Sequence, residues 1–311
     1  MAANGWLRLE LRYLAALERV AATGSFSEAA DELGYTQSAV SQQIAALERL
    51  VGQALVGRRD GRRPVGLTPA GALLLEHAQA ILARTKIARA HLDAFADGRA
   101  GTLRVGTYQS VGIRVLPRLA ALLAKTHPDL RLEIREAGCD LDLVDLVVAG
   151  EVDVTFCVLP LPEGPYVTER LFDDPFMLLA PGDSELRGKR VPLEGLGSLP
   201  LIGYHGCRTA QRVESYLHGL GIDLDHVAYA GDNQIIQALV AERRAAALLT
   251  RLSIDHHDER TIALELADWV PPRQVGLAWH RDQDRAEPIR VFREAAQLAA
   301  GEWRMPVVSA A

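Results

Sequence analysis

Apolar and polar positions in the N-terminal part of the chain alternate with the period of amphipathic helices. A first helix is predicted from Leu11, Leu14, Leu17 and Val20, which share one face. Two shorter helices are predicted within residues 25–48, joined by a tight turn. A supporting helix followed by such a pair is the arrangement that presents a helix to the major groove of DNA.

The ends of the two short helices are marked by residues that favour caps. Ser25 and Glu28 have the spacing of a capping box, in which each side chain binds the other's free backbone N–H. Gly34 is expected to end the first short helix, because glycine readily adopts the left-handed dihedral angles of a C-cap. Thr36 is then the expected N-cap of the second short helix.

The second short helix has an apolar face and a polar face. Val40, Ile44 and Leu47 recur at spacings of four and three and are expected to point inward. Gln pairs with adenine through two hydrogen bonds, and Ser donates to or accepts from several bases, so the opposite face suits base reading. A solvated face in an ordinary three-helix unit is the alternative. The residues expected on the polar face are Gln37, Ser38, Ser41 and Gln42.

A basic turn follows these helices. Asp60-Gly61 is a hairpin-turn dipeptide, and the arginines around it are expected to contact phosphates or the minor groove. A merely solvated turn is the alternative, but a hairpin next to a recognition-type helix indicates a winged helix. The arginines are Arg58, Arg59, Arg62 and Arg63.

Together these segments resemble the DNA-binding domain of LysR-type transcriptional regulators. The resemblance rests on GSFSEAADELGYTQSAVSQQIAALERLVGQALVGR and the GLTPAG that follows. Ser38 stands where the family usually has Pro, and Gln42 where it often has Arg or Lys, so the operator sequence is not carried over. The resemblance implies a transcriptional regulator that binds double-stranded DNA, with RNA polymerase as a protein partner. Ser27 and Thr36 complete the expected DNA-binding set.

A long helix is predicted after Thr68-Pro69, because Thr caps helices and Pro is favoured at the first helical position. Apolar and small residues then recur at alternating spacings of four and three, a heptad seam that needs a partner helix. Packing on the chain's own body is the alternative, whereas the resemblance implies pairing of two subunits in a homodimer or homotetramer. Two-fold symmetry then predicts an interrupted palindrome as the DNA site. The seam residues are Leu74, Ala78, Ile81, Thr85, Ala88, Leu92 and Phe95.

Strands and helices are predicted to alternate after residue 101, which indicates an α/β region with a mainly parallel sheet. A second set of elements begins at Phe176, and a final helix over 286–300 is expected to return to the first set. This region resembles the LysR-type effector domain, which is built like a periplasmic binding protein, through LRVG, HPDLRLEI and AGEVDVTF. The predicted strands cover residues 103–107, 130–136, 152–158, 176–180, 200–204, 227–230, 245–249 and 274–279.

The expected organisation has three parts. A winged helix-turn-helix domain covers residues 1–68, a linker helix covers 69–97 and an effector-binding domain covers 98–311. The effector domain divides into lobe I, about 101–170 and 271–300, and lobe II, about 171–270. Two α/β lobes leave a cleft near their strand ends, where ligands bind.

Two predicted turns, at residues 108–110 and 206–209, each follow a strand and open a helix. Helix N-termini carry free N–H groups and a positive dipole end, which favour anions. Arg208 is expected to offset a carboxylate, so a small organic anion is the expected effector. Simple helix capping is the alternative for Ser110 and Thr209. The expected effector-binding residues are Tyr108, Ser110, Cys139, Tyr204, Cys207, Arg208 and Thr209.

Charge and composition refine this interpretation. The 311 residues carry a formal net charge of −6, but basic residues slightly exceed acidic ones within residues 1–98. The positive charge expected to contact DNA is therefore local. No apolar run reaches membrane-spanning length and the N-terminus lacks a signal-peptide pattern, so a cytoplasmic protein without membrane contact is expected. The cysteine spacing fits neither a disulfide framework nor a zinc site, and no cofactor is expected.

Two other functions compete with effector-controlled regulation. An enzyme would use Ser110, His205 or Cys207 in the cleft, but the sequence has no nucleophile elbow, phosphate loop or dinucleotide fingerprint. A redox-sensing regulator would use Cys139 and Cys207, on loops expected to face the cleft, whereas Cys157 is expected in a buried strand. We therefore expect a regulator with no catalytic residues.

Overall fold

The computed structural model describes residues 6–57, 65–96, 101–243 and 245–301. The chain forms two compact units that divide between Phe95 and Ala96. The first unit is mainly helical, and the second combines helices with strands. Among the described helices, none has both the length and the apolar character needed to cross a membrane.

The first unit packs its helices around an apolar core. The core is filled from the faces that the sequence periodicity predicts, because Leu14, Leu17, Val40 and Leu47 are fully buried. This agreement follows from the 3.6-residue turn, which brings positions three and four apart onto one side. The helices are α1 (Leu11–Thr23), α2 (Phe26–Leu33), α3 (Gln37–Val51) and α4 (Pro69–Ala96).

The second unit contains two α/β lobes, whose elements we number in chain order. The elements of lobe I are β1 (Thr102–Thr107), α5 (Gln109–Arg114), α6 (Leu116–Thr126), β2 (Arg131–Glu136), α7 (Asp140–Val148), β3 (Val154–Leu159), β4 (Tyr166–Asp174), β10 (Arg273–His280) and α10 (Glu287–Ala300). The sheet order is β2-β1-β3-β10-β4. β1 is parallel to both neighbours, whereas β10 is antiparallel to β3 and β4. The strands of the predicted βαβαβ run are parallel, as expected, and the returning strand β10 is the one that runs in the opposite direction.

The core of lobe I is built on both faces of its sheet. Phe156 and Phe292 are fully buried and meet edge to face, with ring centroids 6.0 Å apart. Because Phe292 belongs to α10, this contact confirms that the last helix returns to lobe I. The helix breaks at Val115, where α5 ends and α6 begins with Pro117 in its first turn.

Lobe II has a sheet of mixed direction. Its elements are β5 (Phe176–Pro181), β6 (Pro200–Tyr204), α8 (Arg208–Gly219), β7 (Asp225–Ala230), α9 (Asn233–Arg243), β8 (Ala247–Thr250) and β9 (Thr261–Glu265). Antiparallel strands run in the order β8-β5-β9, and β6 pairs with β7 in parallel. A bridge between Leu201 and Ala246 joins the two groups. β9 and β4 have no counterpart among the predicted strands.

Two crossover segments connect the lobes. The chain leaves lobe I after Asp174, passes Pro175 and enters β5, and it returns through Pro271 and Pro272 to β10. Because β4 pairs with β10 along its whole length, lobe I extends beyond the boundary expected near residue 170. The rest of the space between the lobes is left open as a cleft.

Candidate functional site

The α2–α3 pair forms the predicted helix-turn-helix. Gly34 has a φ of +70°, and the Tyr35 N–H donates to the Ala30 carbonyl at 2.9 Å, which closes α2. Thr36 Oγ1 accepts from the Ala39 N–H at 3.2 Å. The predicted C-cap of α2 and the predicted N-cap of α3 are therefore both confirmed.

The cap of α2 differs in one respect from the prediction. Ser25 Oγ accepts from the Glu28 N–H at 3.4 Å, as a capping box requires. The Ser25 N–H, however, donates to Thr23 Oγ1 at 3.2 Å rather than to the Glu28 side chain. The predicted hydrogen bond from the Ser25 N–H to the Glu28 side chain is therefore wrong. Thr23, at the end of α1, already supplies a hydroxyl acceptor for that N–H.

The first two turns of α3 expose neutral hydrogen-bonding side chains, and α2 exposes Ser27 together with acidic residues. Val40 and Ile44, on the opposite face of α3, are buried in the core of the first unit. Their burial fixes the rotation of α3 about its axis and keeps its polar face outward. That face therefore offers amide and hydroxyl groups of the kind that contact base edges. The predicted DNA-binding residues exposed here are Ser27, Thr36, Gln37, Ser38, Ser41 and Gln42.

The base of the predicted wing follows α3. Val56 and Leu67 form an antiparallel bridge, and the Gly57 N–H donates to the Gly66 carbonyl at 2.8 Å. These contacts bring the two stems of a hairpin together. The tip of the hairpin and its predicted DNA-contacting arginines lie outside the described residues, namely Arg58, Arg59, Arg62 and Arg63.

The start of α4 is fixed to the first unit. Thr68 Oγ1 accepts from the Gly71 N–H at 3.0 Å, as predicted for a cap. Gly71 has no room for a side chain, because a Cβ there would lie 2.0 Å from the Leu55 carbonyl oxygen. Leu74 and Ala78, the first two seam residues, are buried in the core of this unit. Packing on the chain's own body thus accounts for the beginning of the seam.

The later seam residues are exposed. Ile81 and Leu92 expose 40% and 68% of their surfaces, and Thr85 and Ala88 are also exposed. The side chain of Phe95 lies outside the described ones. An apolar stripe along the second half of α4 is therefore open to a partner helix.

A cavity of about 350 Å³ lies between the lobes of the second unit. Ends of strands and first turns of helices from both lobes form its walls. Because the cavity is bounded by both lobes, any change in their relative arrangement alters its shape. The seven predicted effector-binding residues all line it, namely Tyr108, Ser110, Cys139, Tyr204, Cys207, Arg208 and Thr209.

The short helix α5 and two longer helices, α7 and α8, present first turns without a side-chain cap to this cavity. α7 and α8 follow Cys139 and Cys207, whose side chains form no capping hydrogen bond. α9 differs, because Asp232 Oδ1 accepts from the N–H groups of its second and third residues at 2.8 and 2.9 Å. The free N–H groups of α7 and α8 give the cavity wall a donor character.

Arg208 does not offer an unpaired charge to the cavity. Its guanidinium forms a salt bridge with Asp140 and donates to the carbonyls of Val158 and Pro160 at 2.6 and 3.0 Å. The two charged side chains are 17% and 7% exposed. The Arg208 charge is already balanced by the Asp140 carboxylate. The expectation that Arg208 offsets an effector carboxylate is therefore wrong in this arrangement.

A second buried ion pair lies where the lobes join. The Arg273 guanidinium donates to Asp174 Oδ2 through Nε and Nη2, at 3.0 and 2.5 Å, and Nη2 also donates to Ser110 Oγ at 2.9 Å. The Arg273 and Asp174 side chains are 6% and 1% exposed. The pair thus links both crossover segments to the start of α5.

Two families of known domains match the chain. The LysR substrate binding domain matches residues 96–300, and the bacterial regulatory helix-turn-helix protein domain of the lysR family matches residues 11–72. The chain belongs to the LysR family of bacterial regulators. This LysR family member is 36% identical over 292 residues to a probable hydrogen peroxide-inducible genes activator of Mycobacterium avium, covering 92% of this chain and 91% of the relative. It is 34% identical over 184 residues to the HTH-type transcriptional regulator ShiR of Corynebacterium glutamicum, covering 59% of this chain and 61% of the relative.

Solved structures agree with this assignment. A full-length OxyR variant from Pseudomonas aeruginosa has a TM-score of 0.62 and 25% identity, covering 94% of this chain and 95% of that chain. The LysR family regulator CbnR shares the fold, with a TM-score of 0.59 and 20% identity, covering 94% of this chain and 99% of that chain. This LysR family member is therefore a DNA-binding transcriptional regulator with an effector-binding domain, and it is not an enzyme. Regulators of this family bind DNA and small-molecule effectors and form oligomers.

Side chains of the LysR effector domain connect its lobes across the cleft. Gln109 Nε2 donates to Asp232 Oδ2 at 2.5 Å, and Gln109 Oε1 accepts from the backbone and side-chain N–H groups of Asn233 at 3.1 and 2.8 Å. On another part of the lobe interface, Arg212 Nη2 donates to the Pro160 carbonyl at 3.0 Å. These bonds stabilise the present arrangement of the lobes.

The cysteines of this LysR regulator divide into two environments. Cys157 is fully buried in β3, as predicted, and burial raises the pKa of its thiol. Cys139 and Cys207 are half-buried free thiols that line the cavity. Only these two are placed where a small molecule in the cleft can reach them.

Sequence reasoning missed several cleft residues of this LysR domain. Gln109 and Asp140 each lie next to a predicted site residue in the sequence. Their polar side chains beside those residues were the sequence feature that could have indicated them. Asn233 likewise follows Asp232, whose carboxylate caps α9. Arg273 carried no local signal, because its partner Asp174 is 99 positions away in the chain.

Proposed function

We propose that this regulator changes its DNA binding when a small organic anion occupies the cleft between its two lobes. The observation that carries the proposal is the convergence of two uncapped helix N-termini, those of α7 and α8, on one cavity. Backbone N–H groups at helix N-termini bind carboxylates and phosphates without a dedicated cation. The anion would thus be held by Thr209 and its neighbours at the start of α8, not by the charge of Arg208.

The charges around the cavity set a limit on the effector. Arg208 and Arg273 are each neutralised by a buried carboxylate, while Glu136 and Asp232 also line the wall. An anion with several charges would be repelled by these carboxylates. We therefore expect an effector with one or two carboxylate groups.

A ligand that prefers one lobe arrangement shifts the equilibrium by its difference in affinity between arrangements. Since the lobes already share the Gln109 hydrogen bonds, the anion would stabilise or replace these contacts. We propose that the resulting shift alters the separation of the two α3 helices in an oligomer. Contact with RNA polymerase and a cytoplasmic location complete the proposal.

The test is a thermal-shift screen of the full-length chain against small mono- and dicarboxylic acids, followed by DNA-binding measurements with each hit. We expect at least one acid to raise the melting temperature and to change DNA affinity. Thr209→Val should weaken this response several-fold while leaving acid-free DNA binding unchanged. Thr126→Val, at an exposed position on lobe I, is the matched control. Stabilisation by neutral or cationic metabolites alone would contradict the assignment of an anion.

A second candidate function is redox sensing. It is favoured by the position of Cys139 and Cys207 in the cavity wall and by the M. avium relative, whose name describes a probable hydrogen peroxide-inducible genes activator. On this alternative, hydrogen peroxide alone should change DNA binding, and Cys207→Ser should abolish the change. Cys157→Ser is the control, because its thiol is buried. A peroxide effect that persists in Cys207→Ser would exclude this thiol as the sensor.

A further inference from the structure

Two polar atoms in the cleft wall lack a hydrogen-bond partner among the described residues. They are the Tyr108 hydroxyl oxygen and Asn233 Oδ1. Both residues are only 7% exposed, and both line the cavity. Buried polar side-chain atoms are nearly always paired in folded proteins, so each such atom requires an explanation. The two belong to opposite lobes, since Tyr108 precedes α5 and Asn233 begins α9.

The orientation of the Asn233 amide is set by its neighbours. Gln109 Nε2 faces the Asp232 carboxylate, so Gln109 must present its Oε1 to Asn233. That oxygen accepts from the Asn233 Nδ2 group at 2.8 Å. The remaining amide oxygen of Asn233 is therefore an acceptor, which a hydrogen-bond donor on a ligand can satisfy.

Tyr108 plays the complementary role. Its ring packs beneath the Arg273 guanidinium, with the guanidinium carbon 5.2 Å from the ring centroid, which fixes the position of the hydroxyl. Burial raises the pKa of Tyr108, so the hydroxyl keeps its proton at neutral pH. Burial likewise raises the pKa of nearby Tyr204, to about 12. The cavity thus offers neutral phenolic donors rather than a free positive charge.

Resting on the proposed function, we infer that the effector is a small carboxylic acid that also carries a hydroxyl or amino group. Its carboxylate accepts from the first turn of α8 and from the Tyr108 hydroxyl, and its hydroxyl or amino group donates to Asn233 Oδ1. A plain mono- or dicarboxylate has only acceptor oxygens when ionised, and leaves Asn233 Oδ1 unpaired. Because Tyr108 and Asn233 lie on different lobes, a ligand bound to both favours the arrangement in which they face one cavity.

The discriminating probes are acids that differ by a single group. Calorimetry on the full-length chain compares malate and aspartate with succinate, and lactate and alanine with propionate. We expect the hydroxyl- or amino-bearing member of at least one series to bind on the order of tenfold more tightly, because a site built for a hydrogen bond rejects the analogue that lacks it. Whether malate or aspartate is preferred decides between a hydroxyl and an amino donor.

A variant of Tyr108 separates ligand binding from folding. Tyr108→Phe removes a hydroxyl that has no partner among the described residues, so the melting temperature should stay constant or rise. The affinity for the preferred acid should fall several-fold. Tyr216→Phe is the control, since that hydroxyl bonds the Trp269 carbonyl outside the cavity. Asn233→Leu should remove the preference within each pair of acids.

The outcomes distinguish this inference from the function on which it rests. Equal binding of succinate, malate and aspartate, weakened in each case by Thr209→Val, would overturn the inference and leave an anion-responsive regulator. No binding of any of these acids would overturn both. A preference that survives in Asn233→Leu would overturn the role assigned to that amide.

Discussion

The cleft of this regulator is rich in charged residues, yet its arginines are neutralised individually. Arg273 and Asp174 are almost completely buried, and Asp174 Oδ1 also accepts from the Leu252 N–H at 3.1 Å. Two charges withdrawn from water need each other, and removing one leaves the other uncompensated. The pair is thus a structural requirement of the lobe junction.

Asp174→Asn tests this requirement. The substitution leaves the Arg273 charge buried, so the free energy of unfolding should fall by about 3–5 kcal/mol. Asp173→Asn is a neighbouring control, because its partner Arg170 is 55% exposed, and exposed pairs contribute about 0–1 kcal/mol. Denaturant unfolding of the full-length chain measures both. Equal losses for the two variants would mean that burial does not decide the strength of these pairs.

Gln37 provides a residue-level test of DNA reading. It is exposed at the start of α3, and a bidentate contact with adenine contributes about 1–3 kcal/mol of discrimination. Gln37→Ala should reduce affinity by that amount for a site selected from random duplex DNA, with little change for unselected DNA. Gln53→Ala, an exposed glutamine beyond the end of α3, should change neither. Unaltered affinity for the selected site would remove Gln37 from the reading surface.

Among the elements, α4 combines two packing roles in one helix. Its first turns complete the core of the first unit through Leu74 and Ala78. Further along, Ala83 and Ile87 are buried while Ile81 and Leu92 are exposed. An exposed apolar stripe on a long helix is stabilised when a second helix covers it. We therefore expect α4 to pair with its copy in a second subunit.

Leu92→Asp tests the pairing of α4. A carboxylate placed in a helix–helix seam loses its hydration without gaining a partner, so the variant should dissociate to smaller species. Gln79→Asp introduces the same charge at an exposed position on another face of α4 and should keep the parent's assembly. Light scattering coupled to size exclusion measures the mass. A parent-like mass for Leu92→Asp would place the interface elsewhere.

At the scale of the whole molecule, DNA binding and effector binding belong to two compact units, and the chain passes from one to the other between Phe95 and Ala96. The acidic excess of the chain does not oppose DNA binding, because electrostatic attraction acts within about a Debye length, roughly 8 Å at physiological salt. Local charge on the DNA-binding unit therefore decides the contact. A symmetric assembly should carry two such units to two half-sites.

This symmetry predicts the geometry of the DNA site. Selected sequences should contain an inverted repeat whose halves lie about one helical turn or a multiple of it apart. Insertion of about half a turn between the halves should weaken binding strongly, because it rotates one half-site to the opposite face of the duplex, whereas a full-turn insertion should be tolerated better. Footprinting measures both. Equal affinity for the two insertions would favour independent binding of single heads.

Much of the fold followed from local patterns. The helices of the first unit were predictable because capping and 3.6-residue periodicity act over a few positions, as Thr36 and Leu47 illustrate. Strands β4 and β9 were not predictable, because apolar and polar residues alternate only weakly along them. Their stability comes from pairing with strands that are distant in the sequence. The direction of β10 was likewise decided by where the chain re-enters lobe I.

For the functional sites, the amino-acid sequence by itself determined the exposed polar face of α3 and seven of the residues that line the cavity. Those positions follow from helix periodicity and from turns at strand ends, both of which are short-range. Only the tertiary structure decided which charges are free, because Arg208 meets Asp140 across 68 positions and Arg273 meets Asp174 across 99. Desolvation and ion pairing depend on what lies within a few ångströms in space. The sequence placed hydrogen-bond donors along the cleft. The fold paired both arginines with buried carboxylates, so neither offers a free charge to the effector.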